Sequence, residues 1–269
     1  MMAQPKIIIM IAAHKQYRMP EDPMYLPVRV GAHGKPEDFG YQRDDQGENI
    51  SSLNPSFCEL TALYWGWKNL DADYIGLAHY RRHFCLKKKG KDPFENILTS
   101  QELESLLARY CVFVPNKRKY YIETLYSHYS HTHYAEQLDQ TRSIIERKYP
   151  EYLSVYDKVV KQTYGYMFNM MIMRKDLVDQ YCSWLFDILF TLKDELKMPD
   201  LDFFQGRFYG RVSEILFNVW LAYQIQTGIF RKDQVKELRC ISMEPVNWWV
   251  KGTAFLKAKF FHKKYDKSF

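Results

Sequence analysis

His79, Tyr80, Arg81, Arg82 and His83 stand in one unbroken row. They follow residues 73–78, an apolar stretch that reads as a buried strand. Guanidinium groups donate paired hydrogen bonds to a diffuse anion, so adjacent arginines at a strand end suit phosphate oxygens. In open α/β sheets, ligands gather outside the carboxyl ends of the strands. A solvated basic turn is the alternative. His14 and Lys15 occupy a similar place, directly after the continuous apolar run 7–13. His14, Lys15, His79, Tyr80, Arg81 and Arg82 are therefore the candidates for gripping a diphosphate.

Paired carboxylates holding a divalent ion are the other way to offset such a charge. Here Asp71 and Asp73 come before the strand, at its opposite end. We expect fixed cations in place of a metal: no metal ligand and no cofactor, with magnesium or manganese as the alternative. The acidic, turn-rich segment 44–51 offers Asp45 and Asn49 to sugar or ribose hydroxyls; a solvated capping loop would look the same. Glu214 lies near the expected start of a helix at 212–226, with Ser213 as a possible cap. Its carboxylate can take a proton from an acceptor hydroxyl, or simply favour a helix N-terminus. Among His128, His131 and His133, the last two are two apart, and on a helix that spacing points side chains to different faces. That disfavours a metal cluster and leaves His133 a hydrogen-bonding, supporting role.

The elements that must hold these residues alternate between strand and helix, which implies a mostly parallel central sheet flanked by helices. Strands are expected at 7–13, 26–30, 73–78, 112–114 and 167–173. Helices are expected from Asn54-Pro55 onward, at 101–110, over much of 119–162 with a break at Pro150, at 176–196 and at 212–226. Four prolines, Pro20, Pro23, Pro27 and Pro36, make residues 18–50 largely irregular. With no internal repeat or low-complexity linker, residues 1–250 read as one domain with helical additions.

With 269 residues, 46% of them apolar, the chain can bury a large core. Its net charge of +6 favours an anionic partner without choosing among nucleic acid, nucleotide diphosphate and lipid. Five scattered cysteines, none in CxxC spacing, suit reduced thiols in a cytoplasmic protein. No apolar stretch reaches the ~20 residues of a membrane span. Residues 251–269 interleave six lysines with Phe255, Phe260, Phe261, Tyr265 and Phe269. Such a tail suits peripheral contact with an anionic membrane, single-stranded nucleic acid, or packing as a helix on the domain.

Four stretches carry a family resemblance: GENISSLNPSFCELTALYWGWKN at 47–69, ADYIGLAHYRRHF at 72–84, MFNMMIMRKDLVDQYCSWLFDIL at 167–189 and GRVSEILFNVWL at 210–221. In that order they resemble bacterial capsular and exopolysaccharide biosynthesis proteins, long catalogued as a domain of unknown function, some of which are galactofuranosyltransferases. The resemblance spans roughly residues 6–245. It implies a GT-A-like nucleotide-sugar transferase fold with a single Rossmann-like half. It also implies a UDP-sugar donor and a polysaccharide or undecaprenyl-linked acceptor, used in the cytoplasm or at the inner face of the membrane. Motif positions carry over onto Asn49, Asn54, Glu59, Tyr64, Trp65, His79, Tyr80, Arg81, Arg82, Asn169 and Glu214. Family members often read Glu-Arg where this chain has Glu214-Ile215, which weakens any role needing a cation there.

The expectation is thus an inverting glycosyltransferase with Glu214 as base. A non-catalytic scaffold of a polysaccharide assembly complex is the first alternative. A nucleic-acid-binding protein is the second, disfavoured because the cations concentrate in the tail and at one strand end.

Overall fold

The computed structural model describes residues 4–198 and 201–244; the basic aromatic tail at 251–269 lies outside the described residues. The chain divides into two compact units. The first holds the described residues up to 116 together with 168–182 and 230–244, and the second holds 117–167 and 183–229.

The first unit is built on a mixed sheet. β1 (Ile7–Ala13) is apolar throughout and almost wholly buried, as a strand with neighbours on both edges must be. β2 (Tyr25–Arg29) and β4 (Tyr74–His79) flank it in parallel, and β3 (Gln42–Arg43) continues in parallel beyond β2. The chain thus moves outward from β1 to β3, then returns to the other side of β1. Such a reversal of strand order is where open α/β sheets place their ligands, outside the carboxyl ends of the strands.

Beyond β4 the sheet changes character. β9 (Met171–Arg174) lies antiparallel between β4 and β6 (Val112–Pro115). β10 (Val235–Ser242) runs parallel to β6 and antiparallel to β5 (Arg82–Cys85). The expectation of a mostly parallel sheet is corrected to a mixed one, because one half is parallel and the other largely antiparallel. Burial on both faces makes β6 and β9 as uniformly apolar as parallel strands, so their direction leaves no mark on the sequence. At Gly76 the sheet is especially close: a Cβ there would sit 3.0 Å from the Met171 carbonyl oxygen and 2.9 Å from Ile172.

The expected helix from Asn54 is broken in two. α1 (Asn54–Phe57) stops at Cys58, whose φ of 55° is left-handed, and α2 (Leu60–Asn69) follows. α2 buries Leu60, Leu63 and Trp65. α3 (Ser100–Leu107) starts on a capping box between Thr99 and Glu102.

The second unit is helical. The expected helical region 119–162 resolves into α4 (Leu125–Thr132), α5 (Glu136–Lys148) and α6 (Pro150–Val159), preceded by β7 (Arg118–Lys119). Pro150 opens α6 at a position where its missing N–H has no helical partner to lose. β7 pairs with β8 (Tyr164–Gly165) in a short ladder. α7 (Lys175–Glu195) begins in the first unit and ends in the second. α8 (Phe208–Gln226) is buried on nearly every face, as a central helix of a bundle is. No helix among the described residues is long and apolar enough to cross a membrane.

Candidate functional site

The carboxyl ends of β1 and β4 bring His14, Lys15 and Tyr17 against the sequence-distant Tyr80. The His14 ring meets Tyr80 edge-on at 5.2 Å, and Tyr17 meets it at 5.1 Å. The Lys15 ammonium lies 5.4 Å from the Tyr80 ring centre and 5.8 Å from that of Tyr17. The parallel β1–β4 register, with Ala12 beside His79, makes this convergence unavoidable. Arg81 forms the tip of the β4–β5 hairpin, 39% exposed, with Nη1 3.4 Å from Glu244. Its guanidinium also lies 5.3 Å from the Tyr80 ring centre. Burial and the Glu244 carboxylate both push the Tyr17 hydroxyl upward in pKa, while Arg81 pulls it down. Tyr17 and Glu244 were missed by sequence reasoning. Nothing in their local pattern signals them, since both reach the rim from irregular chain.

The chain does not leave the sheet after His79, as its basic row suggested. It turns over Tyr80 and Arg81 and re-enters as β5, with His79 opposite Arg82. His83 is consequently a core residue with no accessible surface, its ring 6.0 Å from Tyr25. Burial pushes its pKa down to about 4, with the Tyr80 backbone opposing. Arg82 lies with its guanidinium 4.5 Å from the Phe168 ring centre.

His79 sets its Nε2 2.5 Å from the Phe168 carbonyl oxygen. A carbonyl only accepts, so Nε2 carries the proton of the neutral ring. Burial holds this imidazole below the usual histidine range, the Glu59 carboxylate opposing and Arg82 and Arg81 assisting. Glu59 in turn accepts a 2.7 Å hydrogen bond from Asn169. Phe168 and Asn169 have φ of 75° and 52°, a left-handed pair leading toward β9. That pair is why the strand begins at Met171 and not at the expected Met167.

The acidic segment is a brace. Asp44 is fully buried and accepts from the Gly31 and Ala32 amides at 2.9 and 3.0 Å, and from Ser51 and Thr61 hydroxyls at 2.5 and 2.6 Å. Gly31 has φ of 63°, and a Cβ there would strike Asn54 at 2.4 Å. Asn54 donates to the Cys58 carbonyl at 2.7 Å, closing the left-handed turn between α1 and α2. Asp45 pairs with Arg43 at 2.7 Å, which lowers its pKa. The Asn49 side-chain amide donates to the carbonyls of Asp45 and Gly47. Tyr64 donates to Glu48 at 2.9 Å, and the Trp65 indole to the Gln46 carbonyl at 2.8 Å. Asp73 lies at the amino end of β4, opposite the basic row, accepting from the Lys6 amide at 2.8 Å.

In the helical unit, α8 begins at Phe208, four residues before the expected start. Ser213 is therefore no cap; it is buried and donates to the Gly210 carbonyl at 2.8 Å. Glu214 occupies the second turn, partly buried, its backbone carbonyl accepting from Asn218 at 2.7 Å. His133 ends α4, is buried, and sets Nδ1 2.9 Å from the Gln205 side-chain oxygen. His128 and His131 converge on the buried Glu123 at 2.7 and 2.8 Å.

Chemically, the carboxyl ends of β1 and β4 carry ammonium, guanidinium, imidazole and phenol groups side by side, an arrangement suited to an oxyanion flanked by a planar or sugar ring. Among curated proteins no match was found. A solved structure titled "WbbM bifunctional glycosytransferase apo structure" is similar, at 30% identity and a TM-score of 0.82. The similarity covers 89% of this chain and 46% of that one, so the chain spans less than half of its length. The family described as "Domain of unknown function (DUF4422)" matches residues 8–225, and the chain belongs to that family.

Proposed function

We propose that the protein is a glycosyltransferase whose first unit binds the diphosphate of a nucleotide-sugar donor. One observation carries the proposal: Lys15, Tyr80 and Arg81 gather at the carboxyl ends of β1 and β4, where the strand order reverses. Likeness to a solved glycosyltransferase at 30% identity supports the reaction class. In this reading Arg81 and Lys15 neutralise the leaving diphosphate, and neutral His79 and Tyr80 shape the wall beside it. Glu214 is the proposed base for the acceptor hydroxyl, giving inversion at the anomeric carbon.

The finer proposal is a UDP-sugar donor, galactofuranose among the candidates, and a polysaccharide or lipid-linked acceptor of capsule or O-antigen assembly at the inner face of the membrane. Fixed cations in place of a divalent ion are part of this proposal, and the engagement of the nearby acidic segment supports them. Asp44 is enclosed by four donors, Asp45 is engaged by Arg43, and Asp73 stands at the opposite, amino end of β4. No step is therefore assigned to a metal.

Calorimetric titration of the full chain with UDP, in excess chelator, tests the reading. Micromolar binding that weakens in both Arg81→Ala and Lys15→Ala is expected. Absence of binding would favour a non-catalytic scaffold; binding that returns only with magnesium or manganese would overturn the cation assignment.

A further inference from the structure

Tyr121 and Ile122 are consecutive, and 80% and 69% of their surfaces face solvent. Large apolar side chains this exposed are ordinary when single; two adjacent ones on a fixed backbone are not. The loop that carries them, between β7 and α4 of the helical unit, is tied at every side. Tyr120 is buried, and its amide donates to the Thr163 carbonyl at 2.8 Å. Tyr121 is left-handed, with φ of 58°, and the Ile122 amide returns to the Tyr120 carbonyl at 2.7 Å. Glu123 is 3% exposed and gripped by His128 and His131. Thr124 then caps α4, and the Leu125 amide donates to the Gln162 carbonyl at 2.8 Å. The backbone thus holds two apolar side chains outward; they are not there because the chain is loose.

Their surroundings are mostly cationic, the nearby Asp157 being paired with Arg142. Arg118 and Lys119 form the exposed strand that leads into the tip. Lys158 and Lys161 are exposed on the neighbouring stretch, whose carbonyls at 160, 162 and 163 receive the loop's amides. Lys117 lies 4.9 Å from the Tyr164 ring centre beside the same ladder. The one carboxylate between residues 117 and 135 is Glu123, which is buried.

We propose that this loop is a membrane-contact element: Tyr121 and Ile122 enter the interface of an anionic bilayer while Arg118, Lys119 and the neighbouring lysines meet its lipid phosphates. A phenol ring with a polar end favours the headgroup level, and a branched aliphatic favours the acyl boundary. Basic residues near the surface add attraction to anionic lipids. Single-stranded nucleic acid fits less well, since Tyr121 could stack on a base but Ile122 offers no ring face. The inference does not rest on the donor-site reading, because it is measured without catalysis.

Flotation of the full chain tests it, with pure phosphatidylcholine vesicles compared with mixed phosphatidylcholine–phosphatidylglycerol vesicles. Wild type should float with the mixed vesicles and release in high salt. The pair Tyr121→Ser with Ile122→Ser should lower partitioning about tenfold or more. Arg118→Ser with Lys119→Ser should lower it on anionic vesicles specifically. All four side chains are exposed, so thermal melts of both variants should match wild type, separating lost contact from lost fold. Wild-type partitioning in both variants would overturn the proposal and place any membrane contact elsewhere, the 251–269 tail included. Failure of wild type to float with anionic vesicles would also overturn it, as would variants that float normally but lose affinity for a soluble glycan acceptor.

Discussion

Asn169 donates a 2.7 Å hydrogen bond to Glu59, 110 positions earlier in the chain. The bond joins the turn between α1 and α2 to the left-handed approach of β9. It also places the Glu59 charge near His79, where it opposes the desolvation of that imidazole.

Asparagine tolerates the left-handed region, whereas a β-branched residue there adds about 1–2 kcal/mol of strain. Asn169→Gly keeps the backbone free but loses the bond, with an expected cost of about 1–2 kcal/mol. Asn169→Val loses both and should cost about 3 kcal/mol. Urea midpoints check the order. Equal stability of the two variants would show that the φ of 52° is not a constraint.

His83 gives the stability a defined pH dependence. Its folded pKa of about 4 lies below the ordinary 6.5 because burial disfavours the charged ring. Above pH 6.5 both folded and unfolded chains hold it neutral, and its full contribution is present. As pH falls from about 6.5 toward about 4, only the unfolded chain takes up the proton, so stability drops, by about 3 kcal/mol across the window. His79, also lowered, adds in the same direction. His83→Leu should flatten the slope of melting temperature against pH over this range, whatever it does to stability at pH 7.

Asp44 receives four hydrogen bonds in full burial, so its removal orphans two amides and the Ser51 hydroxyl, whereas Thr61 still reaches the Cys58 carbonyl. Asp44→Ala should cost about 3 kcal/mol or more. The expected signature is a lowered denaturant midpoint with increased proteolysis between residues 30 and 61. A variant as stable as wild type would mean that the loop is held by α2 alone.

Arg81 is the most direct test of the donor site. A charge-assisted hydrogen bond contributes about 1.5–3 kcal/mol, so Arg81→Ala should weaken UDP binding about 10- to 100-fold. Arg81→Lys keeps the charge but loses the paired donors, and should fall between. Unchanged calorimetric affinity in both would move the diphosphate away from the hairpin.

Glu214→Gln separates base from ligand. A missing general base lowers kcat by about 100- to 10,000-fold while UDP affinity stays as in wild type. Loss of UDP affinity together with rate would make Glu214 a structural residue.

The strand 7–13 and the apolar core of β4 were legible because continuous apolar runs can only be buried, and burial demands neighbours on both sides; the short strand expected at 26–30 forms as β2, one residue earlier. The cationic row at 79–82 was likewise readable as a cluster, since residue type and position after a strand are local facts. What the row does was not local. Two of its members, Arg81 and Arg82, stand on a hairpin, and His83, one residue on, is enclosed in the core. Alternation along a strand decides that split, and the turn at Tyr80-Arg81 had to be seen before the alternation could be counted. β10 was missed altogether because its sequence, VKELRCIS, mixes charged and apolar residues in a strand only partly buried. The same limit hid Tyr17 and Glu244: each comes from irregular chain, where side-chain position is set by long-range contacts and no period records it. Sequence alone determined which segments must be buried and where positive charge collects. Only the tertiary structure decided which of those charges meet at one strand-end rim, because that depends on strand order and register, which join residues distant in the chain.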